Sequence, residues 1–141
     1  MKVLTFGYTG TQVASLAAAL NGLPGALLVD VRLSPYSRET DWCAPALRRR
    51  FGARYLQVRE FGNLNYKTHG PVQLADASMG VRRLFAATRA SEPVLVLLCA
   101  CRDRAGCHRD AVASLLVRQL GGVDAGELAP VIVASDQLAL W

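Results

Sequence analysis

The chain has 141 residues, 52% of them hydrophobic and 19% charged, which supplies one packed core and excludes a disordered segment. That length predicts one domain over residues 1–141 and leaves no room for several, while the longest unbroken apolar run, residues 94–101, is under half of the roughly 20 residues of a membrane-crossing helix. Sixteen Lys and Arg against eleven Asp and Glu give a net charge of +5, which suits small anionic or phosphorylated partners and leaves nucleic acid open.

In chain order, residues 3–6 read as a short buried strand, followed by the turn Gly7-Tyr8-Thr9-Gly10. Val13, Leu16, Ala17 and Leu20 then fall at helical spacing, and the stretch 21–25 breaks that helix. Residues 26–31 form a second apolar run. Residues 33–40 carry Ser34, Pro35 and Ser37 without apolar periodicity and read as a loop into a short helix over 44–51. Residues 54–58 alternate as a third strand, and 60–74 form a long polar loop of the kind that serves as a lid. An amphipathic helix is predicted over 76–89, with Met79, Leu84 and Phe85 as its apolar side. Pro93 opens the most hydrophobic strand, 94–98; 107–120 reads as a helix stopped by Gly121-Gly122; and 130–134 is a final apolar strand.

Strands that alternate with helices and are continuously apolar predict a mostly parallel sheet covered on both faces, a three-layer α/β sandwich. Ligands in such sheets bind outside the carboxyl ends of the strands. Two segments rich in chemistry fall there. The first runs from Cys99 to Arg109 and joins the most buried strand to a helix. A helix start directs backbone N–H groups and the positive end of its dipole at an anion, and nearby arginines lower the pKa of a thiol. Cys99 at the strand end and Cys107 at the helix start are both candidate nucleophiles, and spacing alone does not choose between them. His108 is a candidate general base or orienter, and Arg109 a candidate anion contact. The competing reading makes Cys99 and Cys101 packing residues and Cys107 a buried cap. Cys99, Cys101, Cys107 and His108 also supply four zinc-type donors, but the usual ligand pair with two to four intervening residues is missing, so no metal and no cofactor are assigned. Cys43, beside Trp42, reads as core, and the Arg48-Arg49-Arg50 run as a solvated helix face.

The second segment follows the second strand. Asp30 and Arg32 lie two apart and project to one side of an extended chain, where they reach a ligand or pair with each other to anchor the loop. Ser37 and Arg38 add a hydroxyl and a second guanidinium for ligand binding, while Asp30 is a second candidate for proton handling. Gly7 and Thr9 in the first turn are candidate phosphate neighbours on weaker grounds.

The motifs Asp30-x-Arg32-x-x-Pro35-x-Ser37-Arg38 and Cys99 followed by Cys107-His108-Arg109 resemble the uncharacterised "domain of unknown function 488" family, in matching order along nearly the whole chain. The resemblance implies an α/β sandwich with those residues around one crevice and carries no activity. Tyr8 stands where that family usually has a histidine, and Cys101 where it has an acidic residue. More distantly, the segments are similar to rhodanese-like and cysteine phosphatase domains, although the five-residue interval from cysteine to arginine of the phosphatase loop is absent. The residues together lead to the expectation of an enzyme acting by thiol chemistry on a nucleotide-like or phosphorylated ligand. The alternative is a non-catalytic nucleotide or nucleic-acid binding module with structural cysteines. Residues 1–8 show no secretory pattern, so a cytoplasmic location is expected.

Overall fold

The computed structural model describes residues 1–37, 39–88 and 90–133. Five strands, β1 (Lys2–Gly7), β2 (Leu27–Asp30), β3 (Tyr55–Gln57), β4 (Val94–Cys99) and β5 (Val123–Glu127), build one sheet in the order β3-β2-β4-β1-β5. Every strand pair is parallel. Among the described residues four α-helices cover it: α1 (Val13–Asn21), α2 (Ala44–Phe51), α3 (Ala77–Ala87) and α4 (His108–Leu120). No helix among the described residues is long and apolar enough to cross a membrane.

The three layers follow from the pattern of β4. Leu95, Leu97 and Cys99 join a core cluster with residues of α3 and α4, whereas Val96 and Leu98 join a second cluster with residues of α1 and α2. A strand buried on both faces has no polar alternation, which is why this one reads as an unbroken apolar run. Parallel crossovers are right-handed, so helices that step across the sheet in opposite directions lie on opposite faces. The chain steps one way from β1 to β2 to β3 and back through β4 to β5, and the two clusters divide the helices accordingly. Strand β4 therefore sends its connection to one face while its neighbours β1 and β2 send theirs to the other. The crevice opens at the end of β4, where such reversals leave one.

The sheet's far edge corrects the sequence reading. Among the described residues the last strand is the polar Val123–Glu127 rather than the apolar 130–134; residues 130–133 form no strand, and Ala134 lies outside the described residues. An edge strand needs only backbone pairing on one side, and β5 pairs with β1 through Lys2, Val3 and Thr5 while its side chains stay largely in water. Hydrophobicity is the wrong signal for such a strand. Gly121, left-handed at φ +67°, ends α4 and turns the chain into it. Helix α3 also differs from expectation. It docks through Gly80 and Leu84, while Met79 and Phe85 are exposed. A Cβ on Gly80 would stand 2.5 Å from the Phe61 ring, so the helix sits closer to the domain than its larger apolar residues would permit.

Strand β3 carries a buried link to β2. The Tyr55 hydroxyl donates to Asp30 Oδ2 at 2.6 Å, and burial together with that carboxylate raises the phenol above its ordinary value of 10.0. A raised folded-state pKa contributes stability that is complete below the unfolded value and fades as pH climbs toward the folded one. Above about pH 10 the wild-type chain should therefore lose stability, and Tyr55→Phe should lose it less steeply. Urea unfolding across that range measures both slopes, and equal slopes would show that the phenol is not held neutral by Asp30.

Candidate active site

Asp30 is the last residue of β2 and is fully buried. Its carboxylate accepts from Arg32 Nε at 2.8 Å, Arg32 Nη2 at 2.6 Å and the Arg32 backbone N–H at 3.2 Å, besides the Tyr55 hydroxyl. These bonds occupy both oxygens, so Asp30 orients Arg32 instead of reaching a ligand itself. Arg32 is 5% exposed. Burial works against its charge, but Asp30 overrides it and pushes the guanidinium pKa up. Its Cζ lies 5.3 Å from the centre of the Tyr8 ring, which stacks on Trp42 at 4.7 Å. The guanidinium is thus held along one edge by a carboxylate and against one face by an aromatic pair, an arrangement that pre-orients it.

The loop between β4 and α4 is fixed by backbone contacts at both ends. Tyr8 N–H donates to Cys99 O at 3.0 Å and Thr9 N–H to Ala100 O at 3.2 Å; the Thr9 hydroxyl also bonds Ala100 O. The Cys101 carbonyl lies over Gly7, where a Cβ would stand only 1.8 Å from its oxygen. Arg109, fully buried, donates to that same carbonyl at 2.7 Å, to Arg102 O at 3.3 Å and to the Glu127 carboxylate at 2.9 Å. Farther along, Arg104 pairs with Asp110 and Asp124. The loop folds back on itself as a result, and the sulfur atoms of Cys99, Cys101 and Cys107 come within 4.8 Å of one another. Cys99 and Cys107 are buried, while Cys101 is exposed.

His108, in the first turn of α4, completes the group. Its Nε2 lies 2.7 Å from the Val31 carbonyl oxygen, to which it donates, and this turns Nδ1 toward Cys99 Sγ at 3.6 Å. Cys107 occupies the position preceding α4, with extended backbone. Its thiol pKa is held well below the ordinary range, first by the neighbouring Cys99 thiol, which outweighs burial, with His108 and the Arg109 backbone N–H adding to the effect. Contact with Cys99 lowers Cys101 as well. Cys99 itself is pushed upward, by Cys101 and Cys107 ahead of burial. Burial opposes the charge on His108, yet Cys107 and the Val31 carbonyl carry its pKa upward. Of the three thiols, Cys107 and Cys101 are thus shifted toward the thiolate and Cys99 toward the thiol, and Cys107 alone also stands at the helix N-terminus. Sequence spacing leaves Cys99 and Cys107 equivalent; the surroundings distinguish them.

These groups form the floor of a cavity of about 480 Å³ that Arg32 also lines. Opposite them stands the loop expected as a lid. It contributes Asn63, Tyr66 and His69 to the cavity wall and is bonded to itself: Leu64 N–H donates to Gln73 O at 2.8 Å, and Asn63 Oδ1 accepts from Asn65 N–H and Gln73 N–H. Tyr36, 75% exposed, adds a second rim aromatic.

Of the residues singled out by sequence, Cys99, Cys107, His108 and Arg32 share this cavity. Asp30 lies behind Arg32, and Arg109 behind the loop, with its guanidinium engaged by carbonyls and Glu127. Ser37 turns to the backbone, its Oγ accepting from Glu39 N–H at 3.1 Å. Gly7 and Thr9 border a separate cavity of about 430 Å³ beside Arg102 and Glu127. Arg38 lies outside the described residues. Tyr66 and His69 escape sequence reading and are signalled only by the unusual length of their loop, while Tyr8 is marked there only as standing where the resembled family usually has a histidine.

The sequence profile described as Domain of unknown function DUF488 matches residues 14–116 of the chain, the span that contains the ends of β2, β3 and β4 and the thiol loop. No curated protein and no solved structure matches it.

Proposed function

The chain belongs to the family described as Domain of unknown function DUF488, and we propose that it is an enzyme acting on a nucleotide-like or otherwise phosphorylated ligand, with Cys107 as nucleophile. The observation that carries this reading is the placement of the Cys107 sulfur on the floor of the cavity, at the start of α4 and beside His108, with the oriented Arg32 in the same cavity. Arg32 binds the anionic group of the ligand. The Cys107 sulfur attacks the electrophilic centre, its bond to that centre forms as the leaving group departs, and His108 Nδ1 gives the leaving group a proton. The Val31 carbonyl, by accepting from Nε2, keeps Nδ1 directed inward.

Alkylation of metal-free, reduced protein tests the reading. Inorganic phosphate and a nucleoside 5′-monophosphate should slow iodoacetamide labelling of Cys107 by about tenfold at saturation, as ligand fills the cavity, and leave Cys43 unaffected. Absence of protection by either probe would overturn the assignment of the cavity. The exposed Tyr36 and Tyr66 at the rim favour a second reading, a module that stacks a base and does no chemistry. Cys107→Ser separates the two. Under the enzyme reading it retains nucleotide binding and loses turnover of the substrate found by screening; under the binding-module reading no turnover depends on that sulfur.

A further inference from the structure

We propose that Cys99, Cys101 and Cys107, with His108 Nδ1 as the fourth donor, form a tetrahedral site for Zn²⁺. The proposal shares Cys107 with the reading above but does not require that thiol to be a nucleophile. A bound ion would occupy the sulfur lone pair and mask it, so the cavity would exist in a metal-loaded protected form and a metal-free reactive one.

The argument is geometric. With Zn–S near 2.3 Å and Zn–N near 2.0–2.1 Å, tetrahedral angles place two sulfur ligands about 3.8 Å apart and a nitrogen about 3.6 Å from a sulfur. His108 Nδ1 is 3.6 Å from Cys99 Sγ. The three sulfurs lie within 4.8 Å of one another, so they close on an ion by moving about 1 Å or less. Cys101, the exposed member, can close the gap by rotating its side chain while its carbonyl stays clamped. The histidine is also prepared for the task. Metal-bound imidazoles commonly donate their second ring N–H to a carbonyl, which fixes the tautomer that leaves the other nitrogen's lone pair free. The Val31 carbonyl accepts from Nε2 at 2.7 Å and does this for Nδ1.

Linear spacing does not reveal the site because the convergence is made by the loop's backbone. The absence of a side chain at Gly7 admits the Cys101 carbonyl, and Arg109 clamps that carbonyl from the other side. Residues 99, 101 and 107 are brought together by this reversal rather than by an adjacent pair of ligands. On loading, the three sulfurs bind as thiolates and His108 as neutral imidazole, and the displaced protons pass to solvent. Three thiolates and a dication leave one net negative charge, next to the buried guanidinium of Arg109.

The test uses the full chain, reduced, stripped with a chelator and titrated with Zn²⁺ against a chromophoric competitor. One equivalent should bind. The Co²⁺ form should show intense visible bands of tetrahedral cobalt and thiolate-to-cobalt charge transfer. Cys101→Ser, at an exposed position, should keep the far-ultraviolet circular dichroism of the parent and weaken Zn²⁺ binding by about 100-fold, and His108→Ala should weaken it by at least about tenfold. Cys43→Ser should bind as the parent does. Binding below one equivalent, a pale octahedral Co²⁺ spectrum, or a folded Cys101→Ser protein with parental affinity would overturn the site; parental affinity in His108→Ala would overturn the fourth donor. Because the alkylation experiment is run without metal, its outcome and this one fail independently.

Discussion

Asp30→Asn should lower the free energy of unfolding by about 3–5 kcal/mol, because removing one partner of a buried ion pair leaves the other charge uncompensated. Arg32 is the charge left behind. It is almost fully enclosed, and its only carboxylate contact among the described residues is Asp30. A domain of this size has a total stability of about 5–15 kcal/mol, so the substitution should remove a large fraction of it. Urea unfolding reads the effect as a lower midpoint at an unchanged slope. A loss below about 1 kcal/mol would mean that Arg32 finds other compensation and is not tied to β2 as described. The double substitution Asp30→Leu with Arg32→Met should recover much of the loss, since both charges are then absent. Phosphate protection of Cys107 should be absent from it, because the arginine proposed to bind the anion is gone. Stability and ligand binding separate in that pair of variants.

Gly7→Ala should be the second large effect. The new Cβ would stand 1.8 Å from the Cys101 carbonyl oxygen and 2.9 Å from its carbon, both backbone atoms that no rotamer change can move away. Either the end of β1 or the thiol loop must shift, and overpacking of this kind costs about 1–3 kcal/mol, with this contact at the upper end. Gly10→Ala three residues later is the informative control. Nothing lies within 4 Å of its added Cβ, and only the left-handed backbone at φ +82° opposes it, so it should cost about 1 kcal/mol. Comparable midpoints for the two variants in urea would show that the close approach at Gly7 is not a constraint. If Gly7→Ala behaves as expected, the Arg109 clamp loosens with the loop, and the spacing of the three sulfurs loosens with it.

The architecture was legible because burial on both faces leaves a signature in sequence. β4 and α4 announce themselves by apolar content and by the glycines that stop the helix, and the functional segments fall where a parallel sheet places its crevice. β5 was not legible, since an edge strand held by main-chain bonds has no need of apolar side chains. Met79 and Phe85 misled for a related reason. Size and hydrophobicity suggest a buried face, whereas the docking surface of α3 is set by the smallest residue on it, Gly80 against Phe61. At the site, residue types gave the chemistry and not the division of tasks. Arg32 and Arg109 are the same amino acid in similar company, but one lines the cavity and the other spends its donors on carbonyls and Glu127. Only the fold of the loop tells them apart, and the same is true of Cys99 and Cys107. The proximity of Cys101 to both depends on the backbone reversal over Gly7, a three-dimensional fact with no counterpart in linear spacing.

The wall formed by residues 62–75 is stitched mainly to itself, through the Asn63–Leu74 bridge and the bonds to Asn63 and Asn65, and meets the body of the domain closely where Gly62 packs on Leu33. The floor, by contrast, is tied to the end of β1 through the Tyr8 and Thr9 N–H bonds to Cys99 O and Ala100 O, and to α4 through Arg109. Under the proposed function, selectivity and reactivity are housed in separable parts. On that reading, rewriting the wall would change which ligands fit while the sulfurs, imidazole and guanidinium beneath keep their places.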